Sequence, residues 1–280
     1  MRRQPLDCKL PPMTSASSSR QHVARGPRVP QPADHYVAST FGVPIEHVTL
    51  TVIDEPFHDA RLKRLSSATR RRVHRLVSRV LEDPTPCLEE AEALVAAHPD
   101  IPMLWNHFAS ALAANGLSQR CDSVIEETYR RFPRYVFGFC AWVRLLLRRD
   151  DAAGARALLE ESPRGRLYTV RAFAPDRSEF HPSELAVYTQ MMVRYLGTIG
   201  QLSLARLQFE LLETTIPEHS VCAEVAKDLL FFELEANMKA GLAHMEKLER
   251  RRELRNAKKT PDRAAKHRSE PTLFESSPRG

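Results

Sequence analysis

Residues 102 to 133 return twice further along the chain, and this recurrence limits the fold more than any other feature. Within the stretch, Leu104, Trp105, Phe108, Ala109, Ala111 and Leu112 fall at helical spacing, and Asn115-Gly116 then interrupts the pattern. A second periodic run places Cys121, Ile125, Thr128 and Tyr129 on one face and Glu126 and Glu127 on the other, until Pro133 stops it. Two short amphipathic helices joined by about four residues form an antiparallel hairpin.

Advanced by 34 residues, Trp105 lands on Phe139, Phe108 on Trp142, Leu112 on Leu146, Cys121 on Ala155 and Ile125 on Leu159. Advanced by 84, Phe108 lands on Met192, Leu112 on Leu196, Gly116 on Gly200, Cys121 on Ala205, Ile125 on Phe209 and Pro133 on Pro217. The third copy therefore follows an insertion, expected at about 163–182. Moved back by 34, Pro133 meets Pro99 and Cys121 meets Cys87, so the second helix of a still earlier unit precedes the first copy.

Trp105, Leu112, Cys121, Ile125 and Pro133, with Leu196, Gly200, Ala205, Phe209 and Pro217 in the later copy, make the chain resemble the tetratricopeptide repeat. That family's 34-residue unit has an aromatic near its start, a large apolar and then a small residue, a small residue opening the second helix, and a closing proline. Thr189 stands where the aromatic is usual, and the second unit lacks its proline. The resemblance spans about residues 70 to 235 and implies an all-α fold, a short right-handed α-solenoid of helix-turn-helix units. It also implies a concave surface lined by particular first-helix positions. Here these are Asn106 and Ser110, then Cys140, Arg144 and Arg148, then Gln190 and Arg194. Three arginines without an acid among them point to an acidic or carboxylate-bearing peptide or protein.

The flanks read differently. Residues 1–35 carry six prolines and the run Thr14-Ser15-Ala16-Ser17-Ser18-Ser19, with too little apolar surface to offset ordering entropy, and are expected as a disordered tail. Across 36–60, Val48, Leu50 and Val52 alternate with Thr49, Thr51 and Ile53, while Tyr36 to Phe41 is similarly β-prone across Gly42-Val43-Pro44, so a small hairpin is expected. The helical-repeat domain occupies 61–255. Between Arg61 and Arg79 stand eight Lys or Arg and no acid, and Val73, Leu76, Val77 and Val80 form an apolar stripe. The basic face of this amphipathic helix fits either phosphate contact or a solvated cap on the first repeat.

Thr85 is placed to cap a helix with Pro86 at its first position and Glu89 and Glu90 in its first turn, and Ser183 to cap the helix of the third copy. Tyr168, Phe173 and Phe180 give the insertion enough aromatic surface to pack on the repeats. After Pro217 a long helix carries Val221, Val225, Leu229, Phe232, Leu234, Met238, Leu242, Met245 and Leu248, then gives way to Arg250-Arg251-Arg252. The ordered fold is expected to end near Arg255, leaving 256–280 as a basic disordered tail.

No phosphate-cradling glycine loop, metalloprotease helix motif, nucleophile elbow or calcium loop occurs in the sequence. Glu89-Glu90, Glu126-Glu127 and Glu160-Glu161 recur at repeat spacing on second helices, as solvated faces do. His219 and Cys222 have ligand spacing but lack a second pair, so no metal or other cofactor is expected. Five cysteines, odd in number and without a C-x-x-C, read as reduced buried thiols. The positive start lacks an apolar run and no segment approaches membrane-spanning length, which predicts a cytoplasmic protein. The expected function is a non-enzymatic protein- or peptide-binding scaffold. The alternative is nucleic-acid binding through 61–79 and 247–268, suggested by the net charge of +6 although neither segment interleaves aromatics with its arginines.

Overall fold

The computed structural model describes residues 51–53, 61–163 and 165–266, with side chains described as far as Asn256. The tail expected at 1–35, residues 267–280 of the tail expected at 256–280, and residues 36–50 and 54–60 of the expected hairpin segment lie outside them. About three-quarters of the described residues are helical. Two compact units divide the chain, one ending at Leu229 and the other starting at Leu230.

In the first unit, α1 (Ser67–Glu82) and α2 (Leu88–Ala97) precede three helical hairpins: α3 (Pro102–Ala114) with α4 (Ser118–Arg131), α5 (Val136–Arg148) with α6 (Ala152–Leu159), and α8 (Pro182–Thr198) with α9 (Leu202–Thr215). Between the last two lie the single turn α7 (Val170–Phe173) and the strand β2 (Glu179–Phe180). The stripe on α1 is inward-facing, with Val73, Leu76 and Val80 buried and Val77 partly so. Ser66 caps α1 by accepting from the Thr69 N–H at 3.1 Å. The start of α2 differs from expectation. Asp83 Oδ1, rather than Thr85, accepts the first free N–H, that of Thr85, at 2.9 Å. Thr85–Cys87 then form a 3-10 turn, because the proline-rich entry winds tightly before the α-helix begins.

The three hairpins share one turn geometry. Gly116 (φ +72°), Asp150 (φ +59°) and Gly200 (φ +76°) all take the left-handed conformation, at offsets of 34 and 50 residues. The following N–H, of Leu117, Asp151 and Gln201, donates to the carbonyl of Leu112, Leu146 and Leu196 at 3.0, 2.9 and 2.8 Å. This is the left-handed cap that satisfies orphan helix carbonyls. Asp150 fills without a glycine the place that glycine takes in its two counterparts, as short polar side chains tolerate that region. Five residues beyond each turn residue, Cys121, Ala155 and Ala205 are buried, and Cys87 is buried in the same register before them. Small side chains recur there because α4 packs on α3, α6 on α5 and α9 on α8. Ala155→Leu is expected to lower stability by about 1–3 kcal/mol through overpacking, read as a lower denaturation midpoint. An unchanged curve would mean that this position is not the close crossing the register assigns.

The core of the first unit lies in two clusters, from Leu62 to Cys121 and from Val136 to Leu229. The insertion belongs to the second, with Leu167, Val170, Phe173 and Phe180 buried. Its aromatics do pack on the hairpins: Phe173 lies 4.5 Å from Phe139 of α5 and 5.9 Å from Tyr188 of α8, centroid to centroid. The Tyr188 hydroxyl donates to the Leu167 carbonyl at 2.6 Å. Glu160 is drawn into the same packing rather than left on a solvated face, accepting a 2.5 Å bond from the Tyr195 hydroxyl. The cap of α8 is His181, not Ser183. Its Nδ1 accepts the Ser183 N–H at 3.1 Å while Glu184 accepts the His181 N–H at 3.1 Å, so Pro182 takes the first helical position.

Of the hairpin expected at 36–60, the described part is the strand β1 (Thr51–Val52), which pairs in parallel with β2 across more than a hundred residues of sequence. Thr51 N–H donates to Ser178 and Ile53 N–H to Phe180, at 2.8 and 3.1 Å. A β-prone segment takes whichever strand edge is offered, and here the insertion offers one.

Helix α10 (Val221–Lys266) begins in the first unit, where Val221, Val225 and Leu229 are buried, and its remaining residues belong to the second. It continues past the expected boundary at Arg255 to Lys266.

Candidate functional site

The expected binding positions lie on α3, α5 and α8, where α5 packs against α8 and also touches α3. On α3, Asn106 and Ser110 are partly exposed, and the Ser110 hydroxyl donates to the Asn106 carbonyl one turn earlier at 3.1 Å. On α5, Arg144 and Arg148 are partly exposed, whereas Cys140 is fully buried. Burial pushes the Cys140 thiol up, with nearby Arg144 pulling the other way and Glu184 reinforcing the rise. Cys140 is therefore a neutral packing residue with no thiolate to offer a ligand or substrate. On α8, Gln190 is fully buried and Arg194 is partly exposed.

Arg194 and Arg148 hold carboxylates of the chain itself. Arg194 Nε and Nη2 donate to the two oxygens of Asp228 at 2.6 and 3.2 Å, a bidentate pair. Arg148 pairs with Asp122 of α4, which Arg149 approaches at 3.5 Å. Gln190 Nε2 donates to Glu224 at 3.3 Å, while its buried Oε1 has no hydrogen-bond partner. Glu224 and Asp228 stand 34 residues beyond Gln190 and Arg194. The first turns of α10 thus take the next place in the same register and bring carboxylates to it. Extending the 34-residue offset past Pro217 would have revealed them, but the long apolar pattern of α10 reads as a new element.

A further concavity lies off these positions. A cleft of ≈ 370 Å³ is lined by Arg61, Pro102, Phe132, Pro133, Arg134, Tyr135, Val136, Arg177 and Glu184. Its arginines are engaged locally: Arg61 with the Asp100 carbonyl and over the Phe132 ring, Arg134 with Asp176, and Arg177 with Glu184. It is a cross-braced junction between the α4–α5 turn and the end of the insertion.

No family model, curated protein or solved structure matches this chain.

On the basic helix α1, Arg72 and Arg79 both pair with Glu90 of α2 at 3.0 Å, so part of its charge braces the first two helices. Arg70, Arg71 and Arg75 are exposed. Cys87 and Cys121 are buried like Cys140, and Cys222 is half-buried with its thiol directed to the Ile216 carbonyl. The His219 Nδ1 accepts the Val221 N–H at 3.2 Å, which uses at a helix start the lone pair a metal would need. Among the described residues, no group of three or more His, Cys, Asp or Glu is placed to hold a metal ion. Among them too, no helix is long and apolar enough to cross a membrane.

Proposed function

We propose that this chain is a non-enzymatic, tetratricopeptide-like scaffold of the cytoplasm that holds an acidic protein or peptide on the surface formed by α3, α5 and α8. The observation that carries this reading is the recurrence of one turn geometry at Gly116, Asp150 and Gly200, each followed by a buried small residue at the same offset. Units that repeat in register stack into a short right-handed solenoid and present the same positions side by side. Arg144 and Arg194 share one such position, 50 residues apart. Asp228 on Arg194 exemplifies the chemistry proposed for the ligand, a carboxylate held bidentately by one guanidinium edge, Nε and Nη2.

The test is partner capture from a lysate by the tagged full chain, with identification by mass spectrometry, compared among variants. Arg144→Glu is expected to lose capture, a contact to a charged group being worth about 1.5–3 kcal/mol, or ten- to hundredfold in affinity. Arg144→Gln, which removes the charge while keeping a polar side chain at its partly buried place, should lose capture as well. Arg194→Glu alone sets two carboxylates together and is expected to cost stability as well. The exchange Arg194→Asp with Asp228→Arg restores the internal pair but not the ligand site, so it should recover stability without recovering capture. Replacing Arg70, Arg71 and Arg72 by Gln should leave capture unchanged. If only that triple variant loses its partner, and the partner is RNA or DNA, the nucleic-acid reading replaces this one.

A further inference from the structure

From Leu230 onward α10 carries an apolar face that no other described residue of its unit covers. Phe231, Leu234, Met238, Met245 and Leu248 are between 44 and 65 % exposed. With Gly241 they occupy successive inward positions of a heptad, at steps of three and four residues. Leu230 and Leu242, equally exposed, widen the face on either side. At roughly 100 Å² per side chain the face amounts to on the order of 700 Å², above the usual largest patch of a monomer and close to the ~800 Å² per partner of a stable interface.

We propose that this face is the dimerisation surface for a second copy of the chain, joined as an antiparallel two-helix coiled coil. Three observations select this occupant. The first is length: about three heptads of inward positions match the same three heptads of a copy. The second is shape, because an added side chain at Gly241 would meet nothing within 4 Å, so the stripe has an open notch at its centre. A parallel copy would set notch against notch. An antiparallel copy seats Met238 over the notch, with Leu234 against Met245 and Phe231 against Leu248, so every layer joins complementary volumes. A mid-helix glycine weakens an isolated helix by about 1 kcal/mol, and the seated Met238 offsets that loss. The third is charge. Glu233 and Glu235 make the first half of the stretch acidic, despite Lys239. In the second half Lys247, Arg250, Arg251, Arg252 and Arg255 outnumber Glu246, Glu249 and Glu253. A parallel copy would stack the arginines on themselves, whereas the antiparallel one holds the two basic ends apart and brings Lys247 of each copy level with Phe232 of the other, beside Glu233.

The experiment is sedimentation equilibrium of the full chain, with disulfide trapping to read orientation. The chain is expected to be dimeric. Leu234→Glu with Met245→Glu should raise the dissociation constant by roughly hundredfold or more, with far-ultraviolet circular dichroism unchanged because both side chains are exposed in the single chain. For orientation, Leu234→Cys and Met245→Cys are made separately in a background with Cys8→Ser and Cys222→Ser. Mixed and oxidised, the two variants should form a 234-to-245 disulfide. Leu234→Cys alone should form none, since antiparallel pairing holds two copies of that position roughly 16 Å apart along the axis. A monomer at all concentrations overturns the proposal, as does a dimer indifferent to the two glutamates or a disulfide formed by Leu234→Cys with itself. A monomer that sediments with anionic lipid vesicles also overturns it and gives the face to a membrane surface.

Discussion

Replacing Arg177 by alanine is expected to destabilise the protein by about 3 kcal/mol, the lower end of the ~3–5 kcal/mol that follows when one partner of a buried ion pair is removed. Glu184, at the start of α8, is only 1 % exposed, and Arg177 Nη1 and Nη2 each donate to one of its oxygens at 2.8 Å. The same carboxylate caps α8 by accepting the His181 N–H. Without Arg177 the carboxylate stays buried with a single backbone donor, which is far less than water would supply. The lower end applies because Arg177 is itself about a third exposed, so water reaches the pair from one side. The guanidinium also lies 4.6 Å from the centroid of the Phe180 ring and donates to the Glu179 carbonyl, so its loss loosens β2 and the edge to which β1 is paired. Adding Glu184→Gln to Arg177→Ala should return a large part of the loss, because the amide still caps α8 but carries no charge. Urea denaturation of the single and double variants checks this. Equal destabilisation of both would mean that the buried charge is not the cause.

Acid should remove stability through His107. This residue sits on α3 with its imidazole buried, and that burial holds its pKa down at about 4 against an ordinary value of 6.5. Between those values the unfolded chain binds a proton that the folded chain refuses, so stability rises with pH there. The contribution is complete above pH 6.5 and disappears as pH falls through about 4, amounting to on the order of 3 kcal/mol at 1.36 kcal/mol per unit. His107→Leu should flatten this window. The measurement is the stability of both proteins at pH 7 and pH 4.5, where the difference between them cancels the titration of shared carboxylates. A wild-type loss no greater than the variant's would show that His107 does not titrate in this range.

Much of the helical order was legible because it is written in residues near one another. The hairpins follow from apolar periodicity, from Gly116 and Gly200 at the turns, and from the small residues that let paired helices approach. Asp150 was less visible, since an aspartate in the left-handed conformation leaves no mark that glycine would. The caps at Asp83 and His181 were misplaced by two residues, which is the distance over which several polar side chains compete for the same free N–H groups. Of the expected binding positions, Cys140 and Gln190 proved fully buried and Arg194 proved matched to Asp228. Helical periodicity assigns a face to a residue but does not say how deeply a neighbouring element covers that face.

The sequence by itself determined which stretches are helical, where hairpins turn and which positions recur, because these depend on local sterics and on spacing along one helix. Only the tertiary structure decided that Thr51–Val52 joins the insertion as a parallel strand, and that Arg177 neutralises a buried Glu184. It also decided that the first turns of α10 answer Gln190 and Arg194 with carboxylates, while Leu230, Phe231, Leu234, Met238, Leu242, Met245 and Leu248 stay exposed. These outcomes rest on which surfaces meet across long stretches of chain. The identical side chain is buried or bare according to the partner that the fold brings to it, and a periodic pattern holds no record of that partner.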